Sequence, residues 1–179
     1  MPGAVDHLDT VGEIVEELRG LGLEPVLVGG MALVVLGSRR VTRDFDFVIA
    51  HPGDRLASTI DLFYDHGLEL ASRLNDVGEV TSTIANRKVA AVRLRLDAPA
   101  TAYFFNPETG LRVDLLFDFP IPASVLAERA TRTTIRSHVF EIASEADLLR
   151  LKRIAKAARS APADAEDIAF LESRRKHST

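Results

Sequence analysis

The feature of this sequence that restricts the fold most is a short apolar segment that ends at a glycine pair. Residues 26–28 (Val-Leu-Val) are rich in β-branched side chains and end at Gly29 and Gly30, which predicts a short buried strand. Residues 31–36 then predict one or two helical turns that end at Gly37. A strand that runs through small residues into a helix leaves backbone N–H groups free to bind an anion. The segment therefore predicts a phosphate-binding turn.

Two carboxylates follow on a second predicted strand. After a basic loop at residues 39–43, residues 44–49 (Asp-Phe-Asp-Phe-Val-Ile) begin with alternating polar and apolar side chains. The period of a strand puts Asp44 and Asp46 on the same face. Such a pair either points into solvent or holds a divalent cation, because hard cations such as Mg²⁺ bind a few carboxylates together with substrate phosphates.

Composition excludes several classes of protein. The chain has 179 residues, 46% hydrophobic and 27% charged, which is typical of one globular domain or of a core with a small helical appendage. It has no cysteine, so disulfides and thiolate chemistry are excluded. The net charge of −4 gives no overall attraction to nucleic acid. No apolar run approaches the ~18 residues that span a membrane, and the N-terminus lacks a signal pattern, so we expect a cytoplasmic location.

Helices and strands are predicted along the rest of the chain. The predicted helices cover residues 6–21, 54–64, 123–130, 144–158 and 164–173. The predicted strands cover residues 89–96, 101–105, 111–117 and 138–142, with a hairpin turn at residues 106–110. The pattern of residues 68–75 favours no element. Prolines at 120 and 122 interrupt the strand pattern, so we expect a core at residues 1–119 and a helical region at residues 120–179 packed on it.

A third carboxylate lies on the strand predicted at residues 111–117. Apolar side chains alternate onto one face of this strand, so Arg112 and Asp114 share the other face. Asp114 is either a solvated or arginine-paired carboxylate or a further ligand for a cation. Asp118 is the nearby competitor, but it falls at the end of the strand.

These motifs resemble the signature of the DNA polymerase β-type nucleotidyltransferase superfamily, in which an apolar strand, a Gly-Gly or Gly-Ser pair and an Asp-x-Asp strand follow one another. The run Val28-Gly29-Gly30-x-Ala32, followed by Arg40-x-Thr42-x-Asp44-Phe45-Asp46, is most similar to the AbiEii-type nucleotidyltransferases, known as toxins of toxin–antitoxin and abortive-infection systems. The resemblance is tight at residues 26–50 and looser at residues 111–117 and 144–171. It implies an α+β fold, with a mixed sheet, helices packed on it and further C-terminal helices.

The resemblance also implies which residues act. Asp44, Asp46 and Asp114 would hold two Mg²⁺ ions. Lys152 would reach the triphosphate, with Asp164 or Asp167 lining the same cleft. Without the resemblance, Lys152 is typical of a helix lysine that points its amine into solvent.

The phosphates would be contacted by the glycine pair and the basic loop. Gly29, Gly30 and Arg40 would bind them, and Thr42 either bonds a phosphate or caps the turn. Many superfamily members carry Ser where this chain has Gly30, so contact there would depend on backbone N–H groups. The family usually has a basic residue just before the first aspartate of its C-terminal Asp-x-x-Asp pair, and this chain has Ala163 there.

The implied activity is magnesium-dependent transfer of a nucleoside monophosphate from a nucleoside triphosphate to an acceptor hydroxyl, with release of pyrophosphate. Toxin-like relatives modify RNA, and other relatives modify small molecules or proteins, so tRNA is one candidate acceptor and an antitoxin protein a candidate partner. Two alternatives remain. A non-catalytic nucleotide-binding module would not need the intact Asp-x-Asp pair. A metal-dependent glycosyltransferase also uses Asp-x-Asp, but it explains neither the glycine pair nor the Arg-x-Thr sequence.

Overall fold

A computed structural model describes residues 4–159 and 161–178, and eight strands of this part of the chain form one mixed sheet. The strands are β1 (Val26–Val28), β2 (Asp44–Ile49), β3 (Glu69–Leu74), β4 (Val80–Ile84), β5 (Thr101–Phe105), β6 (Arg112–Phe117), β7 (Thr131–Ile135) and β8 (His138–Ile142). Their order across the sheet is β4-β3-β5-β6-β2-β1-β8-β7. The pairs β2–β6 and β1–β8 are parallel, and the other neighbours are antiparallel.

Helices cover the sheet and connect its strands. They are α1 (Ala4–Gly20), α2 (Gly29–Val35), α3 (Leu56–Asp65), α4 (Arg87–Asp97), α5 (Ala123–Arg129), α6 (Glu145–Ala158) and α7 (Pro162–His177), with a 3₁₀ turn at Gly53–Arg55. Among the described residues, no helix is long and apolar enough to cross a membrane. The observed α+β architecture confirms the predicted fold class.

The main core lies on one face of the sheet. Phe45 of β2 and Phe104 of β5 share this face, because each is in register with Val113 of β6. All three are buried, and the ring of Phe104 stacks on Phe63 of α3 with 4.1 Å between ring centroids. Burial of each such large apolar side chain stabilises the fold by about 1.5–3 kcal/mol. Alternation along β2 therefore turns the side chains of Asp44 and Asp46 to the opposite face.

The strand predicted at residues 89–96 is wrong, because this segment is part of helix α4. Its alternating arginines and aliphatic residues fit a strand, but two contacts favour the helix. The side chain of Asn86 accepts hydrogen bonds from the backbone N–H groups of Lys88 (2.9 Å) and Val89 (3.2 Å), which caps the first turn. Ala90 and Leu94, four residues apart, are the buried side chains of the helix.

Three strands were not predicted. Residues 69–74, which the pattern left unassigned, form β3, and a turn leads from there to β4. In this turn the side chain of Asn75 accepts hydrogen bonds from the N–H groups of Val77 (3.1 Å) and Glu79 (2.9 Å). The third is β7, whose Thr-Arg-Thr-Thr-Ile sequence is too polar to suggest a strand.

Beyond residue 119 the chain contributes three helices and also strands β7 and β8, which extend the sheet. The division at this residue stays a prediction. Ser144 begins α6 as predicted, since its hydroxyl accepts a hydrogen bond from Asp147 N–H (3.1 Å). Helix α7 begins at Pro162, a residue suited to the first helical position, and runs on to His177.

Candidate active site

Parallel pairing of β2 and β6 brings the predicted carboxylates together. In the register of these strands Asp46 lies opposite Asp114, and Asp44 lies opposite Arg112. Asp44 and Asp46 are partly exposed, whereas Asp114 is buried. The carboxyl groups of Asp46 and Asp114 are close enough to interact directly, so their negative charges repel when both are ionised.

The pair is difficult to ionise completely. Although the residue as a whole is partly exposed, burial of the Asp46 carboxyl group among protein atoms, followed by the negative charges of Asp114 and Asp44, raises its pKa to about 8, and the positive charge of Lys152 opposes this shift. Burial also raises the pKa of Asp114, against the opposing effect of Arg112. Two crowded carboxylates with raised pKa values need either a shared proton or a bound cation.

A glycine is needed at position 29 because the carboxylate of Asp46 lies against the backbone there. The φ of Gly29 is +69°, a left-handed conformation that favours glycine, and a Cβ atom there would lie 2.2 Å from Asp46 Oδ2. Gly30 has a similar relation to the basic loop, because a Cβ atom there would lie 2.9 Å from Cζ of Arg40. Both glycines thus let a charged side chain approach the backbone at the start of α2.

A second group of charged residues joins this loop to the C-terminal helices. Arg40 forms an ion pair with Asp167, and the amine of Lys152 lies 2.9 Å from the same carboxylate and 3.6 Å from Asp164. Asp164 is also bound by Arg159, at 3.2 Å. Both aspartates are buried, so they are accompanied by cations as buried carboxylates must be.

Asp167, rather than Asp164, is the aspartate shared by Lys152 and Arg40. The resemblance implied that either Asp164 or Asp167 lines the cleft, and Asp167 is the one that lies closer to Lys152. Lys152 is only 12% exposed in its side chain, so it is not the solvated helix lysine of the alternative interpretation. Thr42 lies partly buried in the loop, two residues before Asp44.

Arg112 is a site residue that sequence reasoning missed. Its Nε donates to Asp114 Oδ1 (2.8 Å) and its Nη2 to Asp114 Oδ2 (3.1 Å), so it holds both carboxylate oxygens. The sequence could have indicated this pairing, because Arg112 and Asp114 are two residues apart on one strand and therefore share a face. The arginine-paired interpretation of Asp114 thus describes one of its contacts.

The donor set fits a hard divalent cation. Within residues 4–159 and 161–178 no group of three histidine, aspartate or glutamate side chains is arranged to hold an ion by itself. Mg²⁺, however, usually binds one or two carboxylates and completes its shell with water and substrate phosphates. The touching carboxyl groups of Asp46 and Asp114, with Asp44 on the same face, offer oxygen ligands of this kind. The two ions that the resemblance implies stay a prediction.

Two surface cavities lie apart from these carboxylates. One, of about 260 Å³, is lined by β3, β5 and α4, and one, of about 350 Å³, lies beside Tyr64 and Asn106. None of Asp44, Asp46 and Asp114 lines either of them. Tyr103 connects the first cavity with the site, because its ring lies 4.8 Å from the guanidinium carbon of Arg112.

The fold is similar to those of solved nucleotidyltransferases. The crystal structure of the lincosamide antibiotic adenylyltransferase LnuA, with lincomycin bound, is similar with a TM-score of 0.56 and 14% identity, over 92% of this chain and 96% of that one. An antigenic nucleotidyltransferase-like protein from Paracoccidioides brasiliensis gives a TM-score of 0.57 and 17% identity, over 93% of this chain and 75% of that one.

The solution structure of the antibiotic-resistance factor ANT(2'')-Ia is also similar, with a TM-score of 0.58 and 10% identity, over 96% of this chain and 85% of that one. At these identities the likeness concerns the fold. No family model matches the sequence, and no curated protein matches it. The narrower resemblance to AbiEii-type proteins therefore stays a prediction.

Proposed function

We propose that the protein is a nucleotidyltransferase that moves a nucleoside monophosphate from a nucleoside triphosphate to an acceptor hydroxyl and releases pyrophosphate. One observation carries this proposal: Asp46, which lies opposite Asp114 across β2 and β6, comes directly against the backbone of Gly29. Carboxylates beside a close-approach glycine are what a metal-bound phosphate chain requires. The shared fold of the solved nucleotidyltransferases supports the same activity.

Asp44, Asp46 and Asp114 would hold the divalent cation. When bound, such an ion polarises phosphoryl oxygens and lowers the pKa of a coordinated hydroxyl. Because Gly29 and Gly30 have no side chains, Asp46 and Arg40 come against the backbone where α2 begins, which places a carboxylate and a cation beside each other for a metal-bound phosphate chain.

Arg40 and Lys152 bind the triphosphate and neutralise the charge that develops on the leaving pyrophosphate. Asp167 pairs with both cations and so keeps them oriented toward the cleft before substrate arrives. Asp164 supports Lys152 from a longer distance, 3.6 Å. Catalysis in this arrangement comes from positioning and charge stabilisation, and no covalent intermediate with the protein is needed.

RNA is the acceptor that we propose first. Arg39 and Arg43 are exposed in the loop that leads into Asp44, so they are available to the phosphates of an RNA such as tRNA. If the protein is an AbiEii-type toxin, an antitoxin protein would be its partner. A small molecule is the second candidate, because LnuA acts on a lincosamide antibiotic and is matched along 96% of its chain.

The test is transfer of label from each α-³²P-labelled nucleoside triphosphate, with Mg²⁺, to total tRNA in one arm and to lincosamide acceptors in another. Asp46→Asn removes the central carboxylate, and Asp61→Asn, an exposed carboxylate on α3, is the matched control. We expect transfer by the native protein and by Asp61→Asn only. Labelled RNA establishes the first acceptor class and labelled antibiotic the second. Absence of magnesium-dependent triphosphate binding would contradict the catalytic proposal itself.

A further inference from the structure

Arg112 is held more firmly than an ordinary surface arginine. Besides its two bonds to Asp114, its Nη1 donates to the backbone oxygen of Gly78 (2.6 Å) in the turn between β3 and β4. The guanidinium also lies over the ring of Tyr103, 4.8 Å from its centroid. The side chain is only 14% exposed. Three neighbouring parts of the fold therefore fix a permanent positive charge at the third carboxylate.

This charge stands close to where a second cation would bind. A Mg²⁺ ion lies ~2.1 Å from its carboxylate ligands. Since Arg112 Nε is 2.8 Å from Asp114 Oδ1, an ion on that oxygen would be at most about 5 Å from the guanidinium nitrogen. Ions in two-metal sites are separated by about 3.5–4 Å, so the guanidinium has a place comparable to that of the second ion. Its positive charge would repel an additional divalent ion.

The balance of charges in the site is consistent with one ion. Asp44, Asp46 and Asp114 carry three negative charges when ionised, and Arg112 supplies one positive charge by direct contact. Lys152, whose charge also acts on Asp46, is paired by direct contact with Asp164 and Asp167. Before a triphosphate binds, two negative charges remain, and a single divalent cation neutralises them.

We propose that Arg112 is a positioning residue that fixes Asp114 through both carboxylate oxygens and takes the place of a second metal ion, so that the site binds one divalent cation. The inference rests on the proposed nucleotidyltransferase function and departs from the two ions that the resemblance implies. The ion is held by Asp44, Asp46 and Asp114, and Arg112 fixes the orientation of Asp114.

The number of bound ions can be measured without turnover. The purified protein is saturated with a triphosphate analogue that has a non-hydrolysable α,β bond, and bound Mn²⁺ per chain is counted by equilibrium dialysis. Electron paramagnetic resonance of the same samples distinguishes an isolated Mn²⁺ ion from two ions that are close enough to couple. We expect one ion per chain with an uncoupled spectrum. Two coupled ions in the native protein would overturn the inference and leave the proposed function intact.

Arg112→Met tests whether the charge of Arg112 is what limits the site to one ion. It removes the charge at similar side-chain length, so we expect a second Mn²⁺ ion and a coupled spectrum. A variant that still binds one ion would show that Arg112 is not what limits the number. Arg129→Met is the matched control, because Arg129 also binds both oxygens of a buried aspartate, Asp147 (3.0 and 2.6 Å), elsewhere in the fold. It should keep one uncoupled ion.

The two proposals fail in different ways. If neither Mn²⁺ nor Mg²⁺ binds the native protein in the presence of the analogue, the proposed function fails, and the inference about Arg112 fails with it. If Arg112→Met does not fold, the count and the spectrum of the native protein still decide between one ion and two.

Discussion

Asp46 and Asp114 lie opposite each other on the parallel strands β2 and β6, and the charge of Asp114 helps to raise the pKa of Asp46. Strands that are distant in sequence thus bring two acidic groups into contact at a place where burial disfavours their charge. The contact has consequences for stability as well as for ligand binding, since whatever neutralises the pair also stabilises the fold.

The first consequence is a loss of stability as pH rises in the absence of metal. Because the pKa of Asp46 is raised from 3.8 to about 8 in the folded state, the folded chain keeps a proton that the unfolded chain loses near pH 4. The contribution of Asp46 to the free energy of unfolding is therefore fully present below pH ~4 and falls as pH rises toward about 8. Thermal unfolding with EDTA, from about pH 5 to about pH 9, should show a falling Tm for the native protein.

Asp46→Asn is the control for this titration, because asparagine cannot ionise. The difference in Tm between native protein and variant should change with pH in the stated direction, and saturating Mg²⁺ should reduce the change. A difference that is independent of pH would show that Asp46 is ionised throughout the range.

The second prediction concerns Gly29→Ala. The new Cβ atom would lie 2.2 Å from Asp46 Oδ2 at a φ of +69°, so the carboxylate must move. We expect loss of stability of about 1–2 kcal/mol from the left-handed backbone, together with loss of Mg²⁺-dependent triphosphate binding. Urea unfolding and calorimetric titration measure the two effects.

Gly110→Ala distinguishes the effect of backbone strain from the effect of displacing the Asp46 carboxylate. Gly110 has a φ of +78° in the turn before β6, and a Cβ atom there would meet no atom within 4 Å. It should lose a similar amount of stability while triphosphate binding is retained. Equal loss of binding in both variants would mean that the backbone strain, and not the contact with Asp46, is responsible.

The third prediction compares Asp167→Asn with Asp164→Asn. Asp167 pairs with Arg40 and lies 2.9 Å from Lys152, whereas Asp164 lies 3.6 Å from Lys152 and pairs with Arg159. Both aspartates are buried, so each change should destabilise the fold. Only Asp167→Asn should release both of the proposed triphosphate-binding cations, and we expect kcat/KM to fall about 10- to 100-fold, or roughly 1.4–2.7 kcal/mol. Steady-state kinetics with varied triphosphate check this. A larger loss for Asp164→Asn would reverse the assignment.

The fourth prediction concerns helix α4. Asn86→Ala removes the side-chain oxygen that accepts hydrogen bonds from the N–H groups of Lys88 and Val89. Loss of such a cap costs about 1 kcal/mol, which urea unfolding can detect. Asn86→Asp keeps the acceptor and should be close to the native protein. If both variants are equally destabilised, the cap is not the cause.

Local patterns along the chain were enough to predict the strand–glycine–helix segment and the strand that carries Asp44 and Asp46. Their signals are short-range: glycines stop β1, and alternation defines the two faces of β2. The same reasoning failed at residues 89–96, where alternation suggested a strand. The Asn86 cap and the burial of Ala90 and Leu94 favour a helix, and burial depends on packing that a short window does not contain.

By itself the sequence determined which residue types could bind a metal-bound phosphate chain, and on which face of its strand each one lies. The tertiary structure decided their partners. Only the register of β2 and β6 sets Asp46 against Asp114, and only the packing of α6 against α7 makes Asp167 the aspartate shared by Lys152 and Arg40. The physical reason is that strand and helix periods act over a few residues, whereas the charges that neutralise a buried carboxylate come from segments distant along the chain.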